Sequence, residues 1–376
     1  MGGHPAVSKV RLSGKETLTR MAHEFDQEDE RFLQRALQLA GLGGNRTSPN
    51  PLVGAVVVKH GKIIGEGYHT AAGCPHAEPE AIARIADPHD LKGATLYVTL
   101  EPCNHFGKTP PCTDLIIRSG ISRVVIGTGD PNPQVNGIGI KKLLNSGIDV
   151  ILAPDPKPYD RIIQAFTKGI LTQKARVILK WAESSNGLIG YSDQRILISE
   201  RRSQIFTHRL RQANTGILLG AGTILVDNPR LDTRLVAGHN PTKIVLDPQG
   251  RIPSQHPFFQ LPGKKIYLNA QNTSPDIFQS PEALLAWLYQ VHQINSVLVE
   301  GGAFVLNWFL KANCWDEIYR ILSSNSIPDT DQAVKAPEIF DSEMQLEIHP
   351  LGKDAVWHYT RRENSFPEVP VNLKLN

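Results

Sequence analysis

The sequence predicts two α/β domains in one chain, the first built in three layers. Three observations carry that expectation. The chain has 376 residues, more than one ordinary domain holds. Short apolar runs alternate with amphipathic stretches after an opening hairpin, the pattern of sheets covered by helices. A proline-rich connector at 153–158 divides this alternation into two series.

Each element has a local reason. Residues 28–42 place Phe32, Ala36, Leu37 and Ala40 at helical spacing and stop at Gly43-Gly44. Apolar runs at 54–59 and 63–69 flank His60-Gly61 as a hairpin. A helix is expected at 76–86 behind Pro75, a strand at 95–100, and a helix opened by Pro111. A strand at 123–127, a helix at 141–146 and a strand at 149–152 complete the first series. A helix at 161–170 follows the connector. The second series has strands at 177–181, 216–219, 243–246, 265–268, 296–299 and 317–322, with helices at 199–211, 281–292 and 304–311. The domain limits that follow are a flexible extension at 1–24, a first domain at 25–155, a linker region at 156–174 and a second domain at 175–376.

Composition narrows the function classes. Forty per cent apolar and 20 per cent charged residues describe a globular protein with material for real cores. No apolar run approaches the ~18 residues of a membrane span, so no membrane partner is expected. Residues 1–20 hold Lys9, Arg11, Lys15 and Arg20 against Glu16, which accounts for the chain's whole net charge of +3. The rest is neutral, against the basic excess of nucleic-acid binders. The basic start reads as an unstructured extension ahead of Met21, with an organelle-targeting leader as the alternative. Four cysteines, two of them assigned below to a metal, leave no disulfide framework and point to a reducing, cytoplasmic setting.

The chemistry starts at His76-Ala77-Glu78, followed by Pro102-Cys103 and Cys112. A His-x-Glu and a Pro-Cys…Cys set marks zinc nucleobase deaminases, in which His and two Cys hold one zinc and Glu carries protons. Three protein ligands leave the fourth position of a catalytic zinc open. Here the second cysteine comes nine positions after the first instead of three. On a regular helix His76 and Glu78 point ~200° apart. They can therefore serve one site only from a helix N-terminus, where the dipole also favours thiolates. Cys74 would be the fourth ligand of a closed structural site, but Pro75 and the Glu78 carboxyl favour the open one. Cys314 reads as core.

The stretches Pro49-Asn50-Pro51-Leu52-Val53-Gly54, Pro75-His76-Ala77-Glu78, residues 100–112 and Asp130-Pro131-Asn132-Pro133-Gln134-Val135 resemble the riboflavin-biosynthesis deaminase family closely. The eight residues between the cysteines are that family's own insertion. The resemblance covers roughly 28–155 and implies a cytidine-deaminase-like fold. Its implied substrate is a diamino-pyrimidinone carrying a ribosylamino 5′-phosphate, contacted by Asn50, His69, Lys108 and Asn132.

The second domain resembles the reductase half of the same bifunctional family, with a fold similar to dihydrofolate reductase. The resemblance rests on residues 179–182, Leu210-Arg211, residues 223–231, Arg234 and Val299-Glu300-Gly301-Gly302. It implies NADPH as cofactor, faced by Ala182, Thr223, Asp227, Gly302, Ala303, Phe304, Val305, Leu306, Asn307 and Trp308. It implies substrate contacts from Arg195, Arg211, Leu231, Arg234 and Glu300. The Gly301-Gly302 turn before a helix is a plausible phosphate cradle. Gly220-Ala221-Gly222 is no dinucleotide fingerprint, since Leu225 stands where the third glycine belongs. Two departures stand out. Ser184-Ser185-Asn186-Gly187 lacks the family's carboxylate, and residues 193–199 put Arg195 and Leu197 where it has a small polar group and a tryptophan. The leading expectation is a bifunctional cytoplasmic homo-oligomer, dimer or tetramer, acting on phosphorylated pyrimidines. The alternatives are a deaminase with a non-catalytic reductase-like domain, and a tRNA or nucleic-acid base deaminase.

Overall fold

The computed structural model describes residues 24–106, 110–339 and 344–361; the extension expected at 1–24 lies almost wholly outside them. Helix α1 (Gln27–Gly41) opens on a reciprocal cap: Asp29 N–H donates to the Asp26 carboxylate and Asp26 N–H to that of Asp29. Its glycine stop is present, with Gly44 at φ 57°. Strands β1 (Gly54–Lys59) and β2 (Lys62–Tyr68) form the hairpin. Both turn residues, His60 and Gly61, take positive φ, as a twist-matched two-residue turn requires.

Then come α2 (Ala77–Ala83), β3 (Thr95–Leu100), α3 (Cys112–Arg118), β4 (Arg123–Thr128), α4 (Ile138–Asn145) and β5 (Asp149–Leu152). The sheet order is β2-β1-β3-β4-β5, with β3, β4 and β5 parallel. Successive strand residues face opposite sides. Val56, Tyr97 and Val125 therefore pack on Phe32, Leu33 and Ala36 of α1. Val57, Leu96, Val98 and Val124 pack on Ala77, Ala81, Ile116 and Ile140 from α2, α3 and α4. These are the three layers expected.

The helix expected at 161–170 is two helices, α5 (Lys157–Ile162) and α6 (Gln164–Thr172). Ile163 leaves the helical region at φ −102°, ψ 8°, its N–H tightening onto the Asp160 carbonyl.

The second half contains β6 (Arg176–Glu183), β7 (Leu188–Tyr191), α7 (Arg201–Ala213), β8 (Gly216–Gly220), α8 (Ala221–Asp227), β9 (Thr242–Leu246) and β10 (Lys265–Leu268). It continues with α9 (Pro281–His292), β11 (Ser296–Gly301), α10 (Ala303–Lys311), β12 (Glu317–Leu322), β13 (Ala333–Lys335), β14 (Met344–Leu351) and β15 (Asp354–Arg361). Eight strands form one sheet in the order β10-β9-β8-β11-β6-β12-β15-β14, parallel from β10 to β12 and antiparallel thereafter. Strands β7 and β13 make a separate ribbon. Helices α9 and α10 cover one face, and α8 with Phe258 covers the other. The halves touch where Asn45 Nδ2 donates to the Asn214 carbonyl (3.0 Å) and Ser48 Oγ to that of Gln293 (2.9 Å). Among the described residues no helix is long and apolar enough to cross a membrane.

Candidate active sites

The ends of secondary-structure elements build the first site. His76 is the N-cap of α2, Cys112 opens α3 behind Pro111, and Cys103 lies just past the end of β3. His76 Nδ1 stands 3.4 Å from Cys112 Sγ and 3.6 Å from Cys103 Sγ. All three ligand atoms lie within 4.8 Å of one another. Zinc bond lengths at a tetrahedral angle set a nitrogen–sulfur edge of about 3.6 Å, so these side chains fit zinc. Cys74 is not among the clustered ligands, which leaves the open position a catalytic site needs. The Cys112 N–H donates to Cys103 Sγ (3.4 Å). With the Cys112 thiol also donating, Cys103 is pulled down to about 4 against the effect of burial.

Glu78, in the first turn of α2, is 3 % exposed. Burial, and then the negative Cys103 beside it, push its pKa up, as a proton carrier near neutral pH requires. A cavity of about 290 Å³ opens onto His76, Glu78 and Cys103. Asn50, His69 and Asn132 line it as expected; Lys108 lies outside the described residues. His69 Nδ1 engages the Pro75 carbonyl (2.9 Å), leaving Nε2 to accept from Asn50 Nδ2 (3.0 Å). Burial holds the His69 pKa below its usual value, so it braces Asn50 as a neutral ring.

Two wall residues, Glu101 and Asp130, lie inside the stretches that carry the family resemblance, but no role follows for either from the sequence. Glu101 is buried, and its carboxylate accepts the N–H groups of Gly137 and Gly139, both at 2.9 Å, which fixes the start of α4 and the loop bearing Asn132. Asp130 is pushed up to about 6, chiefly by burial. At the start of the inserted loop, the Asn104 side-chain amide oxygen Oδ1 accepts from Thr113 Oγ1 (2.9 Å) and Lys142 Nζ (2.8 Å).

In the second half, β11 runs into Gly301-Gly302 and α10. Gly302 has φ 70°, and a Cβ there would lie 3.1 Å from Thr223 Oγ1. The structure therefore joins two expected nucleotide contacts, Thr223 and the glycine turn. Ala303, Asn307 and Trp308 are partly exposed and Phe304 is 81 % exposed. Val305 and Leu306 put their side chains into the core, so a nucleotide could meet only their backbone, and the Leu306 N–H already bonds the Gly302 carbonyl. Ala182 is partly buried on β6. Asp227 is pushed up by burial, and the exposed Arg195 opposes that shift.

Arg211 and Glu300 form a bidentate pair at 2.6 and 2.7 Å, with Arg211 NH1 also donating to the Asp232 carbonyl. Arg234 pairs with Asp232. The Leu231 side chain is buried with Ile217 and Val245, so a substrate could meet only its backbone. Lys180, inside the 179–182 stretch of the resemblance, and His208, which lies in none of its stretches, both feel the charges of Arg211 and Glu300. Burial lowers the Lys180 pKa, with Glu300 opposing. Burial, then Arg211 and Arg234, lower His208 to about 4. Asn186, where a carboxylate was expected, clips the β6–β7 turn by donating to the Ile327 carbonyl (2.8 Å), which an aspartate could not do.

An imidazole and a cysteine at two helix starts, a second cysteine past a strand end and a buried carboxyl opening on a cavity define a zinc deaminase; here it is fused to a second α/β domain with a glycine-turn site. The model of the cytidine and deoxycytidylate deaminase zinc-binding region matches residues 26–128, and that of the RibD C-terminal domain matches residues 175–324. The riboflavin biosynthesis protein RibD of Aquifex aeolicus is 36 % identical over 354 residues, covering 89 % of this chain and 98 % of that protein. RibD of Escherichia coli is 34 % identical over 368 residues, covering 88 % of this chain and 99 % of its own length. The crystal structure of a diaminohydroxyphosphoribosylaminopyrimidine deaminase/5-amino-6-(5-phosphoribosylamino)uracil reductase from Thermotoga maritima is 35 % identical. It superposes with a TM-score of 0.79 over 89 % of this chain and 99 % of that one. The chain belongs to the RibD family, the bifunctional deaminase and reductase of riboflavin biosynthesis, whose cofactors are zinc and NADPH.

Proposed function

We propose that the first half hydrolytically deaminates a diaminohydroxyphosphoribosylaminopyrimidine and that the second half reduces the ribosyl group of the product to ribityl with NADPH. The observation that carries the first step is the His76–Cys103–Cys112 cluster beside buried Glu78 at the cavity floor. When bound there, zinc supplies a water acidified toward neutral pH. At its carboxylate Glu78 would take one proton from the attacking water and give it to the ring nitrogen, then carry the water's second proton to the amino group, which leaves as ammonia. Asn50, braced by His69, and Asn132 are placed to bind the pyrimidine edge, since an amide both donates and accepts. Lys108 is assigned to the phosphate as a point charge.

In the second half, the first-turn N–H groups of α10 and the Gly301-Gly302 turn support nucleotide phosphate binding beside Thr223. NADPH supplies hydride there. Arg211 and Arg234 are assigned to the substrate phosphate, with Glu300 holding Arg211 in its plane. We assign the deaminase to 25–155, a joining segment to 156–174 and the reductase to 175–376. The substrates are small phosphorylated pyrimidines rather than nucleic acid, and we expect a cytoplasmic dimer or tetramer, which sedimentation measures. The decisive assay supplies the diamino substrate with NADPH and follows both products. Ammonia is expected first and NADPH absorbance is expected to fall afterwards. Ammonia without NADPH oxidation would leave only the deaminase.

A further inference from the structure

By its packing, α6 belongs to the second half. Lys168 Nζ pairs with Asp316 Oδ2 at 2.5 Å, where the chain enters β12. Arg176, at the start of β6, donates to Gln164 Oε1 at 2.8 Å. Gly169 lies so close to α9 that a Cβ there would sit 2.3 Å from the Tyr289 ring. Yet Phe166 and Ile170, four residues apart on one side of this helix, line the cavity that holds His76, Glu78 and Cys103. Phe166 supplies a phenyl face; the other lining side chains are aliphatic, polar or imidazole. It also lines the narrow cleft between the halves with Asn50 and Pro51. The deaminase zinc-binding match ends at residue 128, well before α6.

We propose that Phe166 and Ile170 form the apolar wall that positions the pyrimidine ring for deamination, so the deaminase site is completed by a helix anchored on the reductase half. This rests on the pyrimidine substrate assigned above. The other rings in the lining are imidazoles: His76 is held for the metal, His69 is engaged with Asn50 and the Pro75 carbonyl, and His105 is exposed, which leaves Phe166 to offer the pyrimidine a flat surface. An aromatic face on a helix supplies that surface. The three ties from α6 to β6, α9 and β12 keep it from swinging away.

The test uses the full chain. Phe166→Ala is expected to raise KM for ammonia release about five- to a hundredfold, the range of base–aromatic stacking, with kcat changed far less. Phe166→Tyr, which keeps the ring, is expected to restore KM. Ile170→Ala should give a smaller rise. Zinc content, and NADPH oxidation with the deaminated product supplied directly, should match the parent chain and so exclude misfolding. An unchanged KM in Phe166→Ala, with the parent enzyme active, overturns the wall. A parent chain that releases no ammonia from the diamino substrate overturns the substrate assignment instead.

Discussion

At Glu78, local sequence and tertiary burial combine into one function. Its position two residues after His76 sets it in the first turn of α2, and tertiary packing leaves it only 3 % exposed. As proton carrier it should be dispensable for metal binding. Glu78→Gln is expected to retain zinc, measured by atomic absorption, while ammonia release falls about 10²- to 10⁴-fold. Loss of zinc in that variant would move Glu78 into the ligand set. The ligands themselves were legible because the residue types and their order restrict the chemistry. Glu101 was not, because a buried carboxylate that caps a loop has no periodicity; only the fold brings Gly137 and Gly139 to it.

Among the elements, the strand-turn-helix of β11 and α10 shows how a short motif becomes a site. Gly302 takes a positive φ and its missing Cβ lets Thr223 approach. Gly302→Val is therefore expected to destabilise the second half by about 1–3 kcal/mol in a denaturant titration. NADPH affinity, measured by fluorescence titration, should fall in the same variant. Normal NADPH binding would separate the turn from the cofactor. Long, regular elements such as α1, α9 and the parallel strands were readable from periodicity. The exceptions share a cause. Helix α8 has seven residues, too few to show a period, and β14 is an exposed edge strand whose partner, β15, supplies its order. The break at Ile163 was hidden because it changes backbone angles without interrupting the apolar pattern.

Across the whole molecule, two cores with separate ligands share one joining helix. All five tryptophans lie in the second half, at positions 181, 287, 308, 315 and 357. Tryptophan fluorescence therefore reports that half alone. The zinc ligands tie the end of β3 to the starts of α2 and α3, so chelation should lower the circular-dichroism transition of the first half. It should leave the tryptophan transition in place. NADPH at 100 times its Kd should stabilise the tryptophan transition by about 2.7 kcal/mol. A tryptophan transition that follows zinc instead would mean that the halves unfold as one unit.

The sequence by itself determined the two-part architecture, the zinc-ligand set, the carboxyl proposed as proton carrier and the glycine turn. Each depends on residue identity at short spacing, where local geometry leaves few options. The tertiary structure decided what long-range packing controls. It buried Val305, Leu306 and Leu231, joined Arg211 to Glu300, and brought Lys180 and His208 to that cluster. It also carried α6 from the joining segment to the deaminase cavity. Those outcomes depend on which faces meet across the fold, and no local spacing encodes that.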